Sequence, residues 1–475
     1  MAHRAAPPSI ALGLVLATFL VLMGATWFRH TDVGDAQVYQ VIARNMVRDH
    51  RWISLRYLPG VHAHFYDHLP FGFWPMAAAM RWIGPWAIIP LCALFSLGIV
   101  GLTCLTAYRL GGGCAGLAAM FVLGTTETFF FQTGYPTLDP LLMLLATAAA
   151  LPILTGRLRA RDWVLAGALA GAAMAVKGPF GPLPFAGAVV ARAVVDRRWR
   201  TLFVGGAVLL LAAAPVAAFL YTHRDWWSGY GVHQLLESLT GARRDGNSHP
   251  LFALRSIAGR FWPYLPLLAP AIVVALGRPR EWNERLLQGT QNAGNARRAC
   301  RLMLIATAVV IIGLSLPQRK IWHHVLLVYP FLSILIGVGL ARPLARAFST
   351  AQRIRRGLFA LGLILSGSMA ADALGLGRIL MNPPCVLAAE FARPAASLSP
   401  GEEVLVVSKV DEWDMLSALA FEKDVIPWPS LELDPLRHTA ARFAFVKADA
   451  WSPNAGWAEV AAAGGWVMAT RTPGP

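Results

Sequence analysis

The chain has 475 residues, of which 56% are hydrophobic and only 14% charged, too few polar side chains to wet a globule of this size. Lipid must be the solvent for much of it, and a purely soluble protein is excluded. The net charge of +16 comes as short arginine clusters between apolar runs and not as one basic face, which fits membrane topology and argues against a nucleic-acid partner.

The first apolar run, Ile10 to Phe28, exceeds the ~7 to 15 residues of a cleavable signal core and reads as a retained first span, with a signal peptide as the plain alternative. Directly after it, "VGDAQVYQVIARNMVRDHRW" at 33 to 52 presents Asp35 and then Val38, Ile42 and Met46, apolar positions four apart that predict a helix. Aspartate is also a favoured N-cap, so Asp35 can serve as a cap, as a functional acid, or as both. Spanning takes about 20 apolar residues. Runs near that length fall at 10 to 28, 85 to 108, 115 to 133, 137 to 155, 162 to 176, 178 to 195, 201 to 221, 256 to 276, 300 to 316, 321 to 341 and 354 to 376. The expected architecture is therefore an all-α polytopic bundle of about 11 transmembrane helices over residues 1 to 376, with outer loops at 29 to 84 and 222 to 255. Beyond it the composition changes. "EEVLVVSKVDEWDMLSALAFEKDVI" and "ARFAFVKADAW" carry short β-type runs between charged residues, so a small soluble α/β domain is expected over 377 to 475. The five cysteines are odd in number and four sit in or beside apolar runs, so no disulfide framework is implied.

The basic loops fix an orientation. "GRLRARD" at 156 to 162, "RAVVDRRWR" at 192 to 200, the stretch 277 to 301 and "RPLARAFSTAQRIRR" at 342 to 356 all fall on one side of an eleven-span chain. By the positive-inside rule that side is cytoplasmic, which puts the N-terminus inside and the C-terminal domain outside.

The remaining ionisable residues at span ends fall on the outer side: Asp35, Asp139 in "YPTLDP", Lys177 in "AVKGPFGP", and Arg319 with Lys320 in "SLPQRKIWHH". Charge at span depth costs about 2.5 to 3.5 kcal/mol on insertion scales, so such residues face a protein interior or a watery cavity and are functional candidates. Only five of the 42 basic residues are lysines, and the first 400 residues hold just Lys177 and Lys320. A compact ammonium at each of two outer span ends suits point-charge contact with a phosphate, while snorkelling to headgroups is the plain alternative. Asp139 before Pro140 is also an ordinary helix start. His62, His64, Asp67 and His68 in "HAHFYDH" are spaced as metal ligands can be but match no recognised site, and no metal is assigned. His323 and His324 stand at the start of a late span. Arg243 and Arg244, in the outer loop, read either as a phosphate clamp or as a solvated loop. Two acids and several cations at one lip of a bundle suit attack on the sugar of a lipid-phosphate donor. The cations stabilise the leaving phosphate, and a carboxylate acting on the acceptor contributes about 10² to 10⁴-fold.

The run "DAQVYQVIARNM", D-x-x-x-Y-x-x-I-A-R-x-M, resembles the first outer loop of the bacterial aminoarabinose lipid A transferases and the wider family of protein-mannosyltransferase-like, polyprenyl-phosphate-sugar-dependent enzymes, the C-type glycosyltransferase superfamily. "LDP", "VKGP" and "SLPQRKIWHHVLLVYP" match further family positions in order, so the similarity covers most of residues 10 to 341. The resemblance implies a membrane glycosyltransferase of the inner membrane that transfers a sugar, with inversion, from an undecaprenyl-type phosphate donor to a lipid, glycan or protein acceptor on the periplasmic face. It implies Asp35 and Asp139 as catalytic residues, and Lys177, Lys320 and His68 at the donor phosphate; from their place on the outer side, Arg319 and, read as a clamp, Arg243 and Arg244 are further candidates for that phosphate. Tyr39, Arg44 and Asp67 would support the first loop. No cofactor is implied, and a monomer is expected. Two departures stand out: Ala36 where the family often has glutamate, and His68 where it often has lysine. A lipid-linked-sugar flippase and a polysaccharide ligase or polymerase are the rival readings; the first would place ionisable groups on both faces with inverted repeats, and neither feature is evident in the sequence.

Overall fold

The computed structural model describes residues 35–58, 64–126, 128, 129, 132, 135–242, 247–277, 293–347, 398–399, 402–407, 426–430, 441–448, 451, 457–463 and 465–472. The expected spans at 10 to 28 and 354 to 376, together with His62, Arg243 and Arg244, lie outside the described residues. Two compact units emerge, one holding residues 67–72 and 90–347, the other 35–66, 73–89 and the strands near the C-terminus.

In the second unit, α1 (Asp35–Arg48) forms where the four-residue spacing placed it, with Ile42 and Met46 fully buried. It packs on α2 (Trp74–Trp82), which starts on Pro75, a residue pre-set for the first turn because it has no amide to leave unbonded. The Tyr39 ring meets Phe73 edge-on at 5.4 Å, and Asn45 Nδ2 donates to the carbonyls of Arg56 and Tyr57, stitching the following loop to the helix. The same unit holds a five-stranded mixed sheet in the order β2-β1-β3-β5-β4, with β1 (Glu403–Val407), β2 (Ile426–Ser430), β3 (Phe443–Lys447), β4 (Trp457–Ala463) and β5 (Trp466–Arg471). β1 lies parallel to β2 and β3, while β5 is antiparallel to β3 and β4. The prolines of β2, Pro427 and Pro429, sit on an edge strand, where a missing amide breaks no inner ladder.

The first unit is helical and apolar. Its helices are α3 (Ile88–Gly111, whose first two residues fall in the other unit), α4 (Gly113–Gly124), α5 (Asp139–Thr155), α6 (Ala160–Lys177), α7 (Leu183–Val195), α8 (Arg200–Thr222), α9 (Phe252–Arg260), α10 (Leu268–Leu276), α11 (Ala293–Ser315) and α12 (Tyr329–Ala347). Each expected span between 85 and 341 except that at 256 to 276 has one helix in its place, those at 115 to 133, 137 to 155 and 178 to 195 being shorter apolar helices. Among the described residues, five stretches are long and apolar enough to cross a bilayer, including Ile88–Gly111, Arg200–Thr222 and Trp322–Ala345. Within them, Trp322–Ala345 is 83% buried and Arg200–Thr222 only 11%, so α12 forms the centre and α8 lies at the periphery, its apolar side chains left for lipid. Small residues bring the helices close: Gly337 of α12 lies against Ala115 and Ala119 of α4, and Gly187 of α7 against Ala306 of α11.

The expected straight span at 256 to 276 is a correction. Helices α9 and α10 meet at 91°, joined by a 3-10 turn, Trp262–Leu267, that carries Pro263 and Pro266. Proline lacks the amide that would continue the α-ladder, and the Tyr264 hydroxyl, 2.6 Å from that of Thr125, ties the corner to the end of α4. At the other end of the α7 region, Asp196 takes a two-pronged contact from Arg298 of α11 at 2.8 and 2.9 Å and a second from Arg192 at 3.2 Å.

Candidate active site

Helices α5 and α6 run as an antiparallel hairpin, so the first residue of one and the last of the other come to the same end. Those residues are Asp139 and Lys177. Lys177 Nζ donates to Asp139 Oδ1 at 2.7 Å, and both side chains are buried, 5% and 7% exposed. Each sits where its helix favours it, the anion at an N-terminus and the cation at a C-terminus. The opposite end of the hairpin carries Arg157, Arg159 and Arg161 with Asp162, whose carboxylate accepts from the Arg159 amide at 2.9 Å.

Immediately after Lys177 the chain turns at Gly178, whose φ of 68° is one that side chains other than glycine's resist. The buried Tyr230 hydroxyl occupies the place where a side chain on Gly178 would project. Tyr230 belongs to a π-helix, Trp227–Leu236, in the outer loop, and burial pushes its phenol well above the usual range, so it stays protonated. Phe180, in the 3-10 turn Gly178–Phe180, packs on the His324 ring at 4.4 Å; His324 meets His323 edge-on at 4.8 Å. His68 completes the group from the short stretch 67–72, where Gly72 lies against the Val176 carbonyl and Leu138. Although His68 keeps part of its surface exposed, desolvation pushes its imidazole well below the ordinary range. The Lys177 ammonium adds to that fall, Asp139 opposes it, and His323 and His324 add to it again. Arg319 acts electrostatically on both His323 and His324.

The structure therefore brings Asp139, Lys177, His68, Arg319, His323 and His324 into one electrostatic neighbourhood at one end of the helical unit. Asp67 is exposed beside His68. Lys320 is engaged elsewhere, with its side chain buried and Nζ donating to the Ser248 carbonyl at 3.2 Å. Asp35, Tyr39 and Arg44 belong to the other unit. There Asp35 is exposed at the first residue of α1, Tyr39 is buried against Phe73, and Arg44 is half-buried. Sequence reasoning missed Phe180 and Tyr230; the glycine of "KGP" was the one hint that something presses on that turn. Among the described residues no three His, Cys, Asp or Glu side chains gather as metal ligands would. Chemically, the arrangement offers cations for a phosphate and a buried, neutralised lysine–aspartate pair that holds one of them in place.

No protein-family model matches the chain. Among curated proteins it is similar to the undecaprenyl phosphate-alpha-4-amino-4-deoxy-L-arabinose arabinosyl transferase of Pseudomonas aeruginosa, 26% identical over 367 residues. That alignment covers 72% of this chain and 62% of the relative's length. Among solved structures, ArnT from Cupriavidus metallidurans bound to undecaprenyl phosphate superposes with a TM-score of 0.72 at 20% identity, covering 98% of both chains. An oligosaccharyltransferase of Archaeoglobus fulgidus follows at a TM-score of 0.50 and 13% identity, covering 92% of this chain and 68% of that one. This multi-pass membrane chain is thus similar in sequence to that arabinosyl transferase, of whose length it spans less than two thirds, and shares the fold of ArnT.

Proposed function

We propose that the protein is a glycosyltransferase of the bacterial inner membrane that moves a sugar from an undecaprenyl-type phosphate donor to an envelope acceptor on the periplasmic face. The observation that carries this reading is the buried Asp139–Lys177 pair among His68, Arg319, His323 and His324. It sets two cations, Lys177 and Arg319, among neutral imidazoles at one end of an apolar bundle, where a lipid tail can stay in the bilayer while its phosphate reaches protein. The likeness to a transferase of P. aeruginosa and to ArnT with undecaprenyl phosphate bound supports the donor class.

In the proposed reaction an acceptor oxygen attacks the anomeric carbon and the bond from that carbon to the phosphate oxygen breaks. The electron pair leaves with the polyprenyl phosphate. Lys177 and Arg319 meet the charge that develops there, a contribution that is largest in a site from which water is excluded. Asp139 keeps Lys177 aimed and shields it from lipid. Neutral His68 donates or accepts a hydrogen bond at the phosphate without adding charge. Asp35 accepts the acceptor's proton as general base, Asp67, Tyr39 and Arg44 shape the first loop, and Arg243 and Arg244 reach the donor from the outer loop. One displacement inverts the anomeric centre. The acceptor is a lipid, a glycan or a protein, with the C-terminal domain outside and the N-terminus inside.

Mass spectrometry of lipids and envelope glycans from cells with and without the gene tests the reading: one sugar substituent should vanish with the gene and return with the wild-type chain. Asp35→Asn should insert into the membrane at wild-type level and fail to restore it. Restoration by Asp35→Asn would remove that residue from the chemistry, and an unchanged envelope would remove the function.

A further inference from the structure

Lys320 is one of two lysines in the first 400 residues, and its chemistry differs from that of Lys177. It is 5% exposed, and its Nζ is bonded to the Ser248 carbonyl at 3.2 Å. Its backbone forms a two-way bridge with Asn247: the Asn247 amide donates to the Lys320 carbonyl at 3.0 Å, and the Lys320 amide donates back at 2.9 Å. One residue earlier, the Arg319 amide donates to the Ser238 carbonyl at 3.0 Å. Gly241, left-handed at φ 80°, lies against the Gln318 side chain. Residues 318 to 320 are thereby held by the outer loop at Ser238, Gly241, Asn247 and Ser248.

The two sides of this clasp lead to the site by different routes. On one side the 3-10 helix Trp322–Val328 begins two residues after Lys320 and carries His323 and His324. On the other side the π-helix that precedes Ser238 carries Tyr230, which covers Gly178 next to Lys177. Lys177 and Arg319 both act electrostatically on the imidazoles of His323 and His324. The Lys320 ammonium is engaged with the Ser248 carbonyl beside the Asn247 bridge, whereas the Arg319 guanidinium next to it acts on the histidines of the site.

We propose that Lys320 is a positioning residue and not a phosphate ligand: its buried ammonium and its backbone fasten the outer loop to the start of the late span, and this sets Arg319 toward the donor phosphate. The inference rests on the phosphate-donor reading above for its second half only; the clasp itself stands on the hydrogen bonds.

The test uses the full chain in nanodiscs, with undecaprenyl phosphate as the probe and amide hydrogen exchange as an independent readout. Lys320→Met and Asn247→Pro, the second of which removes one bridge amide without changing charge, should each speed exchange at the Arg319 and Lys320 amides about tenfold, the loss of about one hydrogen bond. Both should weaken undecaprenyl phosphate binding by a similar factor. Arg319→Gln should weaken binding without altering exchange, and adding Lys320→Met to Arg319→Gln should weaken it less than twofold further, since the two act through one group. Multiplying fold-losses in the double variant, or a Lys320→Met that weakens binding while Asn247→Pro does not, would make Lys320 a direct ligand and overturn the proposal. Unchanged exchange in both variants would overturn the clasp. If Lys320→Met does not fold, Asn247→Pro carries both readouts. Wild-type protein that does not bind undecaprenyl phosphate would instead count against the donor reading, and the exchange measurement would still decide the clasp.

Discussion

Replacing Asp139 with asparagine keeps the shape of the side chain and removes the charge 2.7 Å from Lys177 Nζ. Coulomb's law at that separation and an effective dielectric of 20 gives an attraction of about 6 kcal/mol. Relaxation and water entry reduce what a variant loses, and removing one partner of a buried pair costs about 3–5 kcal/mol because the other charge is orphaned. The asparagine oxygen can still accept from Lys177, so Asp139→Asn should fall near the lower end, about 3 kcal/mol. Lys177→Met, which strands a carboxylate instead, should cost at least as much. The double variant leaves no orphan, and its melting temperature in detergent should exceed that of either single variant. Undecaprenyl phosphate should then raise the melting temperature of Asp139→Asn by more than that of the wild type, because the ligand's anion replaces the lost counter-charge. A double variant whose shift equals the sum of the two single shifts would refute the reasoning, as would a ligand-induced rise no larger in Asp139→Asn than in the wild type.

His68 contributes a pH dependence with a definite sign. Its folded-state pKa lies well below the ordinary value near 6.5, so as pH drops below about 6.5 the unfolded chain takes up a proton that the folded chain resists. Stability therefore falls with acid, by up to about 1.4 kcal/mol per pH unit for this one group. His68→Gln should flatten the melting-temperature profile between pH 7.5 and 5 relative to wild type; parallel profiles would contradict the assignment. Gly178→Ala meets both a left-handed φ and the Tyr230 hydroxyl, and it should cost about 1–3 kcal/mol of stability together with undecaprenyl phosphate affinity. Wild-type values for both in Gly178→Ala would show that the turn is not fixed as described.

The apolar runs made most of the helical unit legible, because a bilayer admits few backbone solutions and length alone reports them. The α1 helix was legible for another reason: Ile42 and Met46 mark a buried stripe that any partner would have to cover. What the sequence left open was tertiary. The "DP" of Asp139 and Pro140 read equally as a helix start and as a functional acid. It is a helix start whose carboxylate also meets a lysine 38 positions away. Residues 256 to 276 read as a single span, and the 91° bend at Pro263 and Pro266 shows only in the fold. Lys320 and Lys177 look alike in sequence and diverge in the fold, where Lys177 pairs with Asp139 while Lys320 bonds the Ser248 carbonyl and bridges Asn247 through its backbone. Tyr230 gave no signal at all, as a lone tyrosine in a loop has no period to betray its burial.

A cryo-electron microscopy map of the chain in nanodiscs with undecaprenyl phosphate would test the central claim most directly. The phosphate should lie within hydrogen-bond reach of Lys177 Nζ, beside the Asp139 end of the α5–α6 hairpin. Density for the phosphate at the opposite end, among Arg157, Arg159 and Arg161, would contradict the account.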